Sequence, residues 1–202
     1  MISRKYRGYP QCIISFCTIV ILLNCINVSA QNNERKGFIL GFGVGAGLNS
    51  YQFDFELSGI DFMRESKVAF VTDFRIGYAP TDQIAIYWVS RGSWYNQEGV
   101  FSLGGDKVFV INGMAGLGGS YYLEPEAPCF FVNAAVGYAN WFTPFEDNPE
   151  NNLGFGVGLG GGYEFSKHWS AELNLTGGKP SGDDGFSVNT WAARLTINYL
   201  MY

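Results

Sequence analysis

Residues 38–48 read FILGFGVGAGL, and this stretch decides the fold. Phe38, Leu40, Phe42, Val44, Ala46 and Leu48 fall on one parity, and Ile39, Gly41, Gly43, Gly45 and Gly47 on the other. A period of two means a strand, because successive side chains of an extended chain point to opposite sides. A strand on a water-washed surface would carry polar residues opposite its apolar face. Here the opposite face is nearly bare backbone. Such a division suits a strand whose large residues meet lipid while its small ones line a narrow, crowded barrel.

The stretch has a near copy. Leu153, Phe155, Val157, Leu159 and Tyr163 alternate with Gly154, Gly156, Gly158, Gly160 and Gly162. The same period predicts six more strands, at 68–78, 84–94, 108–122, 129–142, 169–176 and 189–199. In the strand at 84–94, Arg91 fixes the facing, since lipid excludes a guanidinium. Ile84, Ile86, Trp88 and Trp94 then point outward, and Tyr87, Val89 and Arg91 inward. The connections alternate: long after the first, third, fifth and seventh strands, short after the second, fourth and sixth. An all-β, up-and-down antiparallel transmembrane barrel of eight strands has this asymmetry, with both chain ends on the short-turn side. Strands of about ten residues suit a tilted bilayer crossing. Tyr78, Tyr121, Trp169 and Tyr199 would form the aromatic girdle on the short-turn side, and Trp94, Phe142 and Trp191 the girdle opposite. Beyond Leu48, Tyr51, Phe53 and Phe55 alternate on the other parity, which predicts a bulge before the strand continues past the membrane.

Residues 1–30 read as a cleaved signal peptide. Arg4, Lys5 and Arg7 precede an apolar run at 12–23, too short for a comfortable membrane helix, and Val28-Ser29-Ala30 offers small residues for cleavage. An uncleaved anchor, or a lipoprotein acylated at Cys25, is the weaker reading. The segment holds three basic residues and no acid, so residues 31–202 carry 10 Lys and Arg against 18 Asp and Glu, a net charge of −8. That balance argues against a nucleic-acid partner. Cleavage also removes three of the four cysteines and leaves Cys129, so no intrachain disulfide and no cysteine metal site is expected.

The two glycine-alternating strands, GYAPTDQIAIYW at 77–88, GLGGSYYL at 116–123 and the aromatic C-terminus together resemble the small eight-stranded outer-membrane barrels of Gram-negative bacteria, of the OmpA-transmembrane-domain and OmpX type. The resemblance covers residues 36–202 and speaks to architecture more than to activity. It implies a protein of the outer membrane with periplasmic termini, in contact with lipid and lipopolysaccharide, inserted by the barrel-assembly machinery, and monomeric. Such barrels end on an outward aromatic residue. Tyr199 is in phase with that face and Tyr202 is not, so either Tyr199 serves or the last residues bulge.

Asp73, Arg75, Arg91, Glu164, Glu172 and Arg194 face inward, three acids and three bases. In a narrow lumen such charges must pair or be hydrated. Zero net charge favours a lumen closed by salt bridges over a selective pore, which would carry one sign in excess. The glycines at 41, 43, 45, 154, 156 and 158 would make room for these long side chains. His168, the sole histidine, falls in a short turn, away from where a lipid-modifying base would need to stand. Gly156–Gly161 fits G-x-G-x-x-G, but a strand and not a helix follows, so no nucleotide cofactor is expected. The long loops are acidic through Asp54, Glu56, Asp61, Glu146, Asp147, Glu150, Asp183 and Asp184, without the spacing of a calcium loop. These readings favour a non-enzymatic barrel with an envelope-structural or surface-interaction role and an unidentified surface ligand. A narrow channel for small solutes or ions, and a lipid-modifying enzyme, are the alternatives. No metal or cofactor is expected.

Overall fold

The computed structural model describes residues 35–55, 64–98, 107–144, 151–182 and 186–202, with backbone alone at 54, 55, 98, 107 and 186. The expected signal peptide at 1–30 lies outside them, as do Glu56, Asp61, Glu146, Asp147, Glu150, Asp183, Asp184 and the side chain of Asp54. The described residues form eight strands: β1 (Gly37–Phe55), β2 (Glu65–Ala79), β3 (Ile84–Glu98), β4 (Lys107–Tyr122), β5 (Cys129–Phe142), β6 (Asn151–Ser166), β7 (Trp169–Gly178) and β8 (Phe186–Met201). Each pairs antiparallel with the next, and β1 pairs with β8, so the sheet closes into a barrel. Closure leaves no unpaired strand edge, the condition for a sheet in a solvent that cannot hydrogen-bond.

The parity holds through the strands. Phe38, Phe42, Leu48, Phe70, Leu117, Phe155, Leu159 and Leu195 are each more than half exposed, while the alternate residues line the interior. Ala115 has the outward parity but is buried; its cross-strand partner is Tyr138, whose ring lies 6.2 Å from that of Trp88.

β1 corrects the sequence reading. It runs for 19 residues without a bulge. Its register against β2 is unbroken from Gly37↔Ala79 to Tyr51↔Glu65, and against β8 from Leu40↔Met201 to Phe55↔Phe186. Tyr51 and Phe53 therefore share the face of Gly41 to Gly47 and point into the lumen, where both are buried. The apolar side changes because the surroundings change: inside the bilayer the outer face must be apolar, while beyond it that face meets water and the inner face needs a core. At about 3.3 Å per residue, 19 residues extend well past the 9–11 that a tilted crossing needs.

The register shift among the described strand pairs lies between Glu164 and Ser166, where β6 turns into β7. His168 there adopts a left-handed backbone (φ 72°) and its Nδ1 lies 2.9 Å from the Leu200 carbonyl. Tyr202 shows no terminal bulge. It keeps the inward parity of β8, and its hydroxyl donates to Glu164 Oε1 at 2.8 Å.

Candidate functional site in the barrel lumen

The lumen is filled in three layers. The middle one is a hydrogen-bonded ring contributed by β2, β3, β5 and β7. Arg75 grips Asp73 through Nε (2.8 Å) and Nη2 (3.0 Å), and Nη2 also reaches Glu172 Oε2 at 2.5 Å. Asn133 Nδ2 donates to the same Glu172 oxygen at 3.3 Å. Its Oδ1 accepts Arg91 Nη2 at 3.2 Å, and Arg91 Nε returns to Asp73 Oδ2 at 2.9 Å. Five side chains thus brace four strands across the interior. Each is at most 4 % exposed, where unpaired charges would be costly. A cavity of about 10 Å³, room for about one water, lies beside Arg75, Ser170 and Glu172.

On the long-connection side an aromatic layer covers this ring. Tyr51, Phe53, Tyr95 and Trp141 meet at ring-centroid distances between 5.1 and 6.2 Å, mostly edge to face, with Val110 and Val188 packed among them. On the short-turn side a second apolar layer gathers Ile39, Tyr87, Met114, Tyr122 and Phe131.

Below that layer sits Arg35, ahead of β1. Its Nε and Nη2 donate to Glu164 Oε2 at 2.8 and 2.5 Å. Nη1 donates to the carbonyls of Asp82, Glu124 and Pro125, and Nη2 reaches Cys129 Sγ at 3.0 Å. The guanidinium lies 4.0 Å from the Tyr122 ring centre. Burial opposes its charge, but Glu164 outweighs burial and the Arg35 pKa is raised. Burial first, and then the Glu164 carboxylate, raise the Tyr202 phenol. One arginine therefore ties together two short turns, the start of β5 and the end of β6.

The six inward ionisable residues do not form one network. Asp73, Arg75, Arg91 and Glu172 share the ring. Glu164 is spent on Arg35 at the mouth. Arg194 pairs with no carboxylate among the described residues; it donates to Ser93 Oγ at 2.8 Å and to Thr176 Oγ1. With Arg35 added, four buried arginines face three buried acids, and the expected balance of charge does not hold.

The glycines divide by neighbour. On β1 the strand β8 takes most of the space, with Gly43 against the Asn198 side chain and Gly45 against the Leu195 carbonyl, while Arg75 Cβ stands 3.4 Å from a Cβ on Gly41 and Arg194 Cγ 3.4 Å from one on Gly47. Gly154 and Gly156 likewise face backbone, of Lys179 and Ala139. Long charged chains arrive at Gly158, beside Arg91, and at Gly162, beside Glu172. Tyr78, Tyr121, Trp169, Trp191 and Tyr199 stand exposed on the outside, with Trp94 and Phe142 half-buried there. Trp94 Nε1 donates to the outward Thr72 hydroxyl at 2.9 Å, satisfying a polar group on an apolar face.

Sequence reading missed Arg35, Asn133 and the aromatic layer. For Arg35 no local signal exists, since its partners lie 47 to 129 positions away. For Tyr51 and Phe53 the change of apolar parity is the signal, and it marks a switch of the apolar side within one continuous strand, not a bulge.

The described residues thus form a closed, eight-stranded, antiparallel barrel with a filled lumen. Solved structures similar to it include Neisserial surface protein A (11% identity, TM-score 0.49, covering 78% of this chain and 96% of that one). OprG from Pseudomonas aeruginosa is another (12%, TM-score 0.48, 84% and 99%), as is Ail, the attachment invasion locus protein of Yersinia pestis (11%, TM-score 0.46, 81% and 99%). At these identities the likeness concerns the fold alone. No protein-family model matches the sequence, and no curated protein does.

Proposed function

We propose that this chain is a non-enzymatic, monomeric, integral outer-membrane protein with an envelope-structural or surface-interaction role, and that its barrel does not conduct. The filled lumen carries this reading: a ring of paired charges lies between two apolar layers, with Arg35 beneath. An ion would have to break buried pairs to pass, and breaking one such pair costs about 3–5 kcal/mol. The outer face supports the membrane placement. Phe38, Phe42, Phe70, Leu117, Phe155, Leu159 and Leu195 continue around the barrel as one apolar belt, far beyond the patches that soluble monomers expose. With both chain ends on the short-turn side, a leader at 1–30 and insertion by the barrel-assembly machinery put the termini in the periplasm and the long connections outside, facing lipopolysaccharide and any surface ligand.

Refolded protein in planar bilayers tests it. We expect heat-modifiable gel migration and no steady conductance. A reproducible open state that disappears on substituting Arg91 or Glu172 would replace this reading with the narrow channel. A change in lipid A mass dependent on the protein would replace it with the enzyme.

A further inference from the structure

Among the described residues, the buried arginines, aspartates and glutamates cancel except for one. Arg75 and Arg91 stand against Asp73 and Glu172, and Arg35 against Glu164. Arg194 remains, 2% exposed, with only the hydroxyls of Ser93 and Thr176 as acceptors. A buried guanidinium without a counter-charge keeps a desolvation penalty that neutral hydroxyls offset only in part. The carboxylates of the ring are already engaged. Asp73 accepts two bonds from Arg75 and one from Arg91, and Glu172 accepts from Arg75, Asn133, Ser170 and Asn174.

Unpartnered polar atoms lie at inward positions next to Arg194: the acceptors Asn174 Oδ1, on its cross-strand partner, and Asn49 Oδ1, and three N–H donors. Arg91 Nη1 is buried with no acceptor. A Cβ built on Gly158 would lie 3.1 Å from that nitrogen and 3.3 Å from Thr176 Cγ2, so Arg91 Nη1 and the threonine that holds Arg194 flank the same glycine. Asn112 Nδ2 is also buried and unpartnered, and Asn112 is the cross-strand partner of Ser93, the other residue holding Arg194. Asn49 Nδ2 is a third, one inward step along β1 from Gly47, which pairs with Arg194.

From this convergence we propose that Arg194 and Arg91 bind a small monatomic anion, of the chloride class, within the lumen between the charged ring and the aromatic layer. The donors stand on four different strands, β1, β3, β4 and β8. A spherical anion accepts from any direction and supplies the missing charge. It is a structural counter-ion, enclosed as the barrel closes.

Bromide is the probe. Because both ends of the lumen are covered, the protein is refolded separately in bromide and in gluconate at equal ionic strength. We expect crystals of the bromide form to show an anomalous peak within hydrogen-bond distance of Arg91 and Arg194. We also expect a melting temperature that rises with bromide and saturates. Arg194→Met and Gly158→Ala, the second keeping every charge while placing a methyl group beside Arg91 Nη1, should each lose the peak and the saturable rise. If Arg194→Met does not refold, Gly158→Ala carries the comparison. Absence of the peak in the parent protein, or a bromide response that persists in either folded variant, would overturn the proposal.

Discussion

Arg35 Nη2 lies 2.5 Å from Glu164 Oε2, across 129 positions of sequence, and both side chains are almost fully buried. The pair joins the chain ahead of β1 to the end of β6, and Tyr202 brings the C-terminus to the same carboxylate. Replacing Arg35 with alanine would leave Glu164 buried without its counter-charge and three turn carbonyls without their donor. We expect a loss of about 3–5 kcal/mol, and a smaller loss when Glu164→Gln is added to it. Urea unfolding of the single and double variants in lipid vesicles, followed by tryptophan fluorescence, measures the coupling. Strictly additive losses would show that the two residues act independently.

Tyr202 gives this end of the barrel a dependence on alkaline pH. Burial and the Glu164 carboxylate raise the phenol above the usual tyrosine value of about 10. A folded pKa above the unfolded one means that the neutral phenol contributes stability fully below about pH 10, and that this contribution is lost as pH rises toward the folded value. Tyr202→Phe should cost about 1.5–3 kcal/mol at neutral pH and flatten the decline between about pH 9.5 and 11. Parallel declines in the parent and the variant would place the alkaline sensitivity elsewhere.

The ring ranks the inward charges. Asp73 pairs with two arginines at once, while Arg194 pairs with no carboxylate among the described residues. Asp73→Asn should therefore destabilise the barrel by about 3–5 kcal/mol, and Arg194→Met by clearly less. The order of the two unfolding midpoints, measured in gluconate without halide, decides the matter. A costlier Arg194→Met under those conditions would mean that Arg194 is held by something other than the hydroxyls of Ser93 and Thr176 or a bound halide.

Alternation made the strands and their facings legible, because a barrel wall has two different solvents and each residue must suit one. Phe38 to Leu48 and Leu153 to Tyr163 read directly as wall. What alternation cannot convey is which inward residues meet. Asp73 and Arg91 are cross-strand partners and their pairing follows from register, yet Arg75 reaches Glu172 across the lumen, 97 positions away. Arg35 was illegible for the same reason. The misread bulge after Leu48 has another cause: the rule that large apolar residues face outward holds only at bilayer depth, and β1 outruns that depth.

The glycines on the two faces should respond oppositely to a methyl group. A Cβ on Gly45 would fall on the Leu195 carbonyl oxygen and 2.8 Å from Thr196 Cα, both backbone atoms of β8 that cannot move without parting the β1–β8 seam. Gly45→Ala should cost about 1–3 kcal/mol, the range for overpacking a filled interior. Gly119 has the outward parity on β4, and there the nearest atom to an added Cβ is the Ala85 carbonyl at 3.4 Å. Its backbone is extended, a conformation that alanine adopts freely. Gly119→Ala removes disorder from the unfolded chain and should leave stability unchanged or raise it by about 0.4–1 kcal/mol. Unfolding both variants in the same vesicles supplies the comparison. Equal losses would mean that the inner glycines serve backbone flexibility throughout the barrel, and a loss confined to Gly45→Ala ties them to the close approach of β8.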